Sequence, residues 1–180
     1  MNTPYLIMDI DGVLIPYPDG AGHSPDTHTR HLVTPTGYER QPAVAIWLNP
    51  THGQMIARFL SETGLTMAWA TSWQHDANRL IGSRLGLQAS AVIEWDRPAI
   101  TVSHPNGYLW KRDPVAAWLG NAPAAWIDDD FTPADHAWAA ARTLSGIPTI
   151  LVQPDHHEGL LPTHLNTVAE WASTRLAQAS

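Results

Sequence analysis

The stretch Tyr5-Leu6-Ile7-Met8-Asp9-Ile10-Asp11-Gly12-Val13-Leu14-Ile15 decides the fold of this chain. It opens as a short apolar run, the pattern of a parallel strand buried on both faces. Two carboxylates one residue apart follow, then a glycine that lets the backbone turn. Residues i and i+2 of an extended segment point to the same side, so Asp9 and Asp11 converge. With the strand ending near Asp9, both acids fall in the loop at its carboxyl end, where open α/β sheets bind ligands. Two close carboxylates repel one another unless a cation or a shared proton lies between them. A hard ion such as Mg²⁺ is the natural occupant, because it takes oxygen ligands. Asp-x-Asp also occurs in solvated turns, in calcium loops and in glycosyltransferases. The apolar strand before it and Gly12-Val13-Leu14 after it weigh against a plain turn.

The chain around this stretch has 180 residues, of which 44% are apolar, enough for one domain with a sizeable core. No apolar run approaches a membrane span. No basic region followed by an apolar stretch opens the sequence, so no signal peptide is expected. Cysteine is absent, which excludes disulfides and thiolate metal sites and suits a cytoplasmic location. The formal net charge is −7, which argues against tight, sequence-independent binding to nucleic acid. Ten histidines are scattered without a His-x-x-x-His pair, so they do not suggest zinc. Lysine occurs once, at Lys111.

Outward from the first strand, residues 16–42 are rich in Pro, Gly, His and Thr and leave the sheet directly after the paired acids. His28 to Val33 and Ala43 to Leu48 predict a short hairpin around Thr34-Pro35-Thr36-Gly37. The insert as a whole, about 16–48, reads as a small flap rather than a packed subdomain. Asn49-Pro50 begins a helix that stops at Gly64. Leu65 to Ala70 is a second buried strand, running into Thr71-Ser72-Trp73. A helix from about His75 to Leu85 follows, then a third strand over Ala91–Glu94. Residues 96–110 read as irregular. Asp113-Pro114 starts the next helix, and Ala124 to Ile127 is a fourth strand leading into Asp128-Asp129-Asp130. Thr132-Pro133 caps another helix, Ile147 to Val152 is a fifth strand, and Thr163 opens a final amphipathic helix. Strands alternating with helices predict a single α/β domain of three layers, with a Rossmann-like parallel sheet covered on both faces.

Asp9/Asp11, Thr71-Ser72 and Asp128-Asp129-Asp130 therefore all follow strands, on the side where ligands bind. Each part has a bland reading. A Thr or Ser there caps a helix, three aspartates before Thr-Pro serve a helix dipole, and one lysine decorates a surface. Their joint order, acid pair, hydroxyl, lysine, acid pair, is far less expected by chance.

That order resembles the four motifs of the haloacid dehalogenase (HAD) superfamily, over roughly residues 5–152. The first, hhhDxDGhh, is the opening stretch itself. Most members are Mg²⁺-dependent phosphatases, so the resemblance implies a phosphohydrolase with a small hairpin in place of a large cap. By the same resemblance Asp9 is the nucleophile and Asp11 the general acid and base. Thr71 hydrogen-bonds the phosphoryl group, or Ser72 does if the strand ends later, and Lys111 offsets the charge on Asp9 and the phosphoryl oxygens. Asp128 and Asp129 complete a metal shell with Asp9 and the backbone carbonyl of Asp11. Gly12 falls within the first motif and is expected beside the substrate.

Trp69-Ala70-Thr71-Ser72-Trp73-Gln74-His75-Asp76-Ala77-Asn78 and Ala125-Trp126-Ile127-Asp128-Asp129-Asp130 are similar to the HAD-type domain of bacterial RNA-repair proteins. The implied partner is a phosphorylated small molecule, a nucleotide or a nucleic-acid end, with no membrane. Trp73 and Trp110 adjoin candidate catalytic residues and are candidates to stack a base or sugar, or else to pack in the wall. Two other readings stand beside this one. A glycosyltransferase would use Asp-x-Asp for a metal-bound nucleotide sugar, and a binding module would keep the fold without the chemistry.

Overall fold

A computed structural model of the chain describes residues 3–95 and 105–178. Expectations that fall on residues 96–104 lie outside them. Strands β1 (Tyr5–Met8), β4 (Thr66–Trp69), β5 (Ala91–Val92), β6 (Ala124–Ile127) and β7 (Thr149–Val152) form one sheet in the order β5-β4-β1-β6-β7. All its pairings are parallel. Strands β2 (Thr29–Val33) and β3 (Val44–Leu48) form a separate antiparallel hairpin.

Helix α1 is His52–Thr63. A second helix, α2, is π-wound over Ala77–Gly82 and α-helical over Ser83–Leu85. Helices α3 (Arg112–Leu119), α4 (Pro133–Leu144) and α5 (Pro162–Gln178) follow. Among the described residues no helix is long and apolar enough to cross a membrane.

The central position of β1 follows from its composition. Leu6, Ile7 and Met8 are fully buried, and alternate side chains go to opposite faces. Leu6 and Met8 join a cluster with the hairpin, α1, α2 and α5, through Val33, Ile46, Leu48, Ile56, Ile81 and Leu165. Ile7 joins a second cluster with α3 and the start of α4, through Val115, Leu119 and Phe131. The three expected layers are present. The chain leaves β1 for β4 and β5 on one side, then crosses to β6 and β7 on the other. That reversal opens the ligand crevice of an α/β sheet beside β1.

The insert differs from a free flap. Its hairpin buries Val33, Ile46 and Leu48 in the main core. Its tip is tied to α2. Asp76 accepts the Thr36 N–H at 2.6 Å and the Thr36 hydroxyl at 2.8 Å, and Arg79 reaches both Asp76 and the Thr34 carbonyl.

Two helix starts also shift from the sequence reading. Asn49 accepts from the Thr51 N–H and hydroxyl, so the first regular turn begins at His52, after that side-chain turn. Helix α3 begins at Arg112 and places Pro114 inside its first turn. Proline is tolerated there, because first-turn N–H groups have no helical partner.

Candidate active site

Register brings the acids together. Met8 pairs with both Trp69 and Ile127, so the next residues of all three strands emerge at one level. The Asp9 N–H donates to the Ile127 carbonyl at 3.0 Å, continuing the ladder, and Asp128 donates likewise to Val152 at 3.3 Å. Carboxylate oxygens of Asp9, Asp128 and Asp129, all three buried, lie within 4.8 Å of one another. Lys111 enters from the start of α3 and is only 4% exposed. Its Nζ is hydrogen-bonded to Asp9 Oδ2 and to Asp128 Oδ2, the latter at 2.8 Å.

The loop carrying Lys111 is fixed by a carboxylate from the next helix. Thr132 and Asp135 form a capping box at the start of α4. Fully buried Asp135 also accepts the Leu109 N–H, at 3.2 and 3.0 Å to its two oxygens. One side chain thus ties the segment before Lys111 to the segment after Asp128–Asp130.

Asp11 turns away from the three clustered carboxylates. Its Oδ2 accepts the Ser72 hydroxyl at 3.1 Å, and the Trp73 indole N–H lies 3.0 and 3.1 Å from its two oxygens. Thr71 is fully buried, and its hydroxyl takes the Trp73 N–H at 3.4 Å. Gly12 has φ +71, a left-handed conformation that favours glycine, and a Cβ there would lie 2.1 Å from Asp129 Oδ2. Gly12 therefore makes room for the Asp129 carboxylate.

A cavity of about 230 Å³ opens on this assembly, lined by Asp9, Asp11, Tyr17, Ser72, Trp110, Lys111, Asp129 and Asp130. Of the expected hydroxyls Ser72 lines it and Thr71 does not, and of the two tryptophans Trp110 does and Trp73 does not. Trp110 stacks edge-on with Trp95, ring centroids 4.9 Å apart. Two lining residues escaped the sequence reading. Asp130 lies at the end of the acidic run, where its neighbours already satisfied the motif. Tyr17 stands between Pro16 and Pro18, and that rigid flanking was its one signal.

Among the described residues the site is short of positive charge. Burial, then the neighbouring Asp130 and Asp9, pushes the Asp129 carboxyl up to about 7. Burial also raises Asp128, against the pull of Lys111. Burial and then Asp9 raise Asp11. Burial disfavours the Lys111 ammonium, but Asp128 and Asp9 outweigh it and hold its pKa above the usual value. Tyr17 is raised by burial and then by the same acids. One buried ammonium faces several carboxylates, so this donor set fits a hard divalent cation. Such an ion takes carboxylate oxygens and reverses the local repulsion.

A family model described as the HAD domain in Swiss Army Knife RNA repair proteins matches residues 5–165. Among solved structures the chain is similar to a hypothetical protein of Xanthomonas campestris, with 18% identity over 99% of this chain and 89% of that one, at a TM-score of 0.46. It is also similar to a putative HAD superfamily (subfamily III A) hydrolase of Legionella pneumophila, with 15% identity over 98% and 90% and a TM-score of 0.41. No curated protein matches the chain.

Proposed function

The chain belongs to the family of HAD domains found in Swiss Army Knife RNA repair proteins, and from that premise we propose that it is a Mg²⁺-dependent phosphohydrolase acting on a phosphomonoester. The observation that carries this reading is buried Lys111 spanning Asp9 and Asp128 at the floor of a small acidic cavity. A cavity of about 230 Å³ lies below the range for drug-sized ligands. It suits the transferred phosphoryl group, with the rest of the substrate outside. A small metabolite, a nucleotide and a polynucleotide end all meet that condition.

Asp9 attacks phosphorus with the oxygen that Lys111 does not hold, giving an aspartyl-phosphate. As the bond to the leaving oxygen breaks, Asp11 gives that oxygen its proton. Asp11 then takes a proton from water, whose oxygen attacks phosphorus and returns Asp9 to the free carboxylate. Both nucleophile and phosphoryl group are anionic, so positioned positive charge must carry most of the stabilisation. Asp9, Asp128 and Asp129 would hold Mg²⁺, which would supply the charge that Lys111 alone does not. Lys111 holds the nucleophile and faces the phosphoryl oxygens, while the Ser72 hydroxyl at the cavity wall is given to Asp11.

The test is Asp9→Asn, nearly isosteric and a poor nucleophile, assayed against phosphomonoesters, nucleotides and end-phosphorylated oligonucleotides. Turnover should vanish with the melting temperature preserved. Mass spectrometry should place a trapped phosphoryl group on Asp9 of the unaltered protein. An adduct elsewhere refutes the assignment, and full activity in EDTA refutes the metal.

A further inference from the structure

Asp11 is clamped by two donors from the turn after β4. The Trp73 indole N–H reaches both of its oxygens, at 3.0 and 3.1 Å, and the Ser72 hydroxyl reaches Oδ2 at 3.1 Å. An indole N–H can only donate, so this contact has one polarity. The ring is anchored in turn, since Trp73 packs against the main core cluster. Its backbone is held within the turn, where Gln74 and Trp73 donate to the carbonyl and hydroxyl of Thr71 and Asp76 donates to the Trp73 carbonyl. Gln74 has φ +51 and is the one non-glycine residue of positive φ among those described. A side chain in that region costs free energy, and such strain collects at functional turns. Here the strained residue directly follows Trp73.

We infer that Trp73, assisted by Ser72, is a positioning residue that keeps the Asp11 carboxyl aimed at the reacting oxygens instead of joining the acids around Lys111. The inference rests on the acid–base reading of Asp11 given above. Asp11 has competing attractions nearby, in Lys111 and in any cation held by Asp9, Asp128 and Asp129. A proton donor that swings toward them leaves the oxygen it must protonate. In the first step the Asp9–phosphorus bond forms, the bond to the leaving oxygen breaks, and the proton passes from Asp11 to that oxygen. The new Asp11 carboxylate accepts from the indole and from Ser72, so both donors serve the charged form that the transfer creates. Trp73 does not line the cavity, so its contribution passes through Asp11.

The experiment compares two esters with one set of variants. In 4-nitrophenyl phosphate the leaving group departs without a proton, whereas an alkyl phosphate needs one. Trp73→Phe keeps the ring packing and deletes the N–H. It should lower kcat/KM for the alkyl ester roughly thirtyfold and for the nitrophenyl ester less than about threefold, a selective part of what general acid catalysis contributes. Ser72→Ala should act in the same direction more weakly, and it serves if Trp73→Phe fails to fold. Asp11→Asn reports on the underlying reading, because it should show the same selectivity more strongly. Equal losses on both esters in Asp11→Asn would overturn that reading. Selective loss in Asp11→Asn but equal loss, or none, in Trp73→Phe would overturn the positioning inference alone. A second readout needs no turnover. The indole N–H resonance missing from Trp73→Phe should shift in Asp11→Ala, and a resonance indifferent to that change removes the contact itself.

Discussion

Two buried polar clusters, one around the single carboxylate of Asp76 and the other around the acids at Lys111, are completed in opposite ways. Asp76, at the joint between hairpin and α2, is surrounded by donors from Thr36 and Arg79. Burial works to raise its carboxyl, but these partners prevail and hold it below the ordinary value. Asp128 and Asp129, at the end of β6, are also buried, with more of the surrounding protein packed around them, and burial with crowding drives both upward. The first cluster is closed by its own residues and fixes the fold. The second is left incomplete by the described residues, and a bound cation would supply the missing positive partner. A buried acid is informative only when its partners are counted, because a satisfied network stiffens a structure and a partly satisfied one destabilises it.

Removing Lys111 should break the incomplete cluster most severely. Lys111→Ala leaves Asp9 and Asp128 buried without their shared cation. Activity should fall by at least about a thousandfold, in the range for lost electrostatic stabilisation. Stability should also fall, by about 3 kcal/mol in EDTA, because a buried pair has lost one partner. A lysine on the surface would change stability far less, so the melting curve checks burial independently of rate. Lys111→Arg should restore stability better than activity, since a planar fork does not replace a compact ammonium between two carboxylates.

The next two substitutions set the clusters directly against each other. Asp76→Ala orphans the donors at the hairpin joint and should cost about 2–3 kcal/mol, as a broken buried network does. Asp129→Asn should do the reverse in EDTA and raise stability by about 1–2 kcal/mol, because it no longer buries a charge and no longer repels Asp130 and Asp9, while turnover is lost. The pH profile fixes the sign. The Asp129 carboxyl titrates near 7 when folded and near 3.8 when unfolded. Between those values the folded state binds the extra proton, so this group lowers stability as pH rises. The advantage of Asp129→Asn should therefore be absent below pH 3.8, grow up to about 7 and level off above it. With Mg²⁺ in excess it should disappear. Urea melts of both variants over that range measure it, and an advantage that persists with Mg²⁺ would mean that Asp129 does not face the ion.

The same contrast explains what the sequence disclosed. The apolar run of β1, its stop at Asp9 and the run Ala124–Ile127 before Asp128 were legible, because a buried parallel strand has few alternatives. The cap at Thr132-Pro133 was legible, although the part of Asp135 in it and its grip on Leu109 were not, since 26 residues separate the last two. The direction of Trp73 was hidden for a local reason. It depends on a left-handed Gln74, and glutamine carries no signal for that conformation. The π-wound turns of α2 were hidden too, because apolar spacing there fits an ordinary helix. The hairpin was predicted within about a residue at each strand. Its attachment to Asp76 was not, because a threonine in a Pro-Thr-Gly turn predicts only the turn.

The smallest expected effect tests whether the hairpin joint is structural only. Thr36→Val deletes one of the donors to Asp76 and keeps the backbone N–H, which holds the carboxylate at 2.6 Å. The hydroxyl also accepts from Arg79 Nη2 at 3.2 Å, so two hydrogen bonds go while Asp76 and Arg79 keep each other, and the loss should be about 1–2 kcal/mol. Of the whole insert, Tyr17 lines the cavity and the hairpin residues do not. Thr36→Val should accordingly leave kcat and KM on a generic phosphoester within about twofold, since substitutions away from a site perturb little. If the generic rate instead falls tenfold while the melting temperature barely moves, the joint transmits to catalysis. The route would be short, because Asp76 donates its own N–H to the Trp73 carbonyl and Trp73 holds Asp11. The satisfied cluster would then be part of the machinery that aims the unsatisfied one, and the division drawn between the two would not stand.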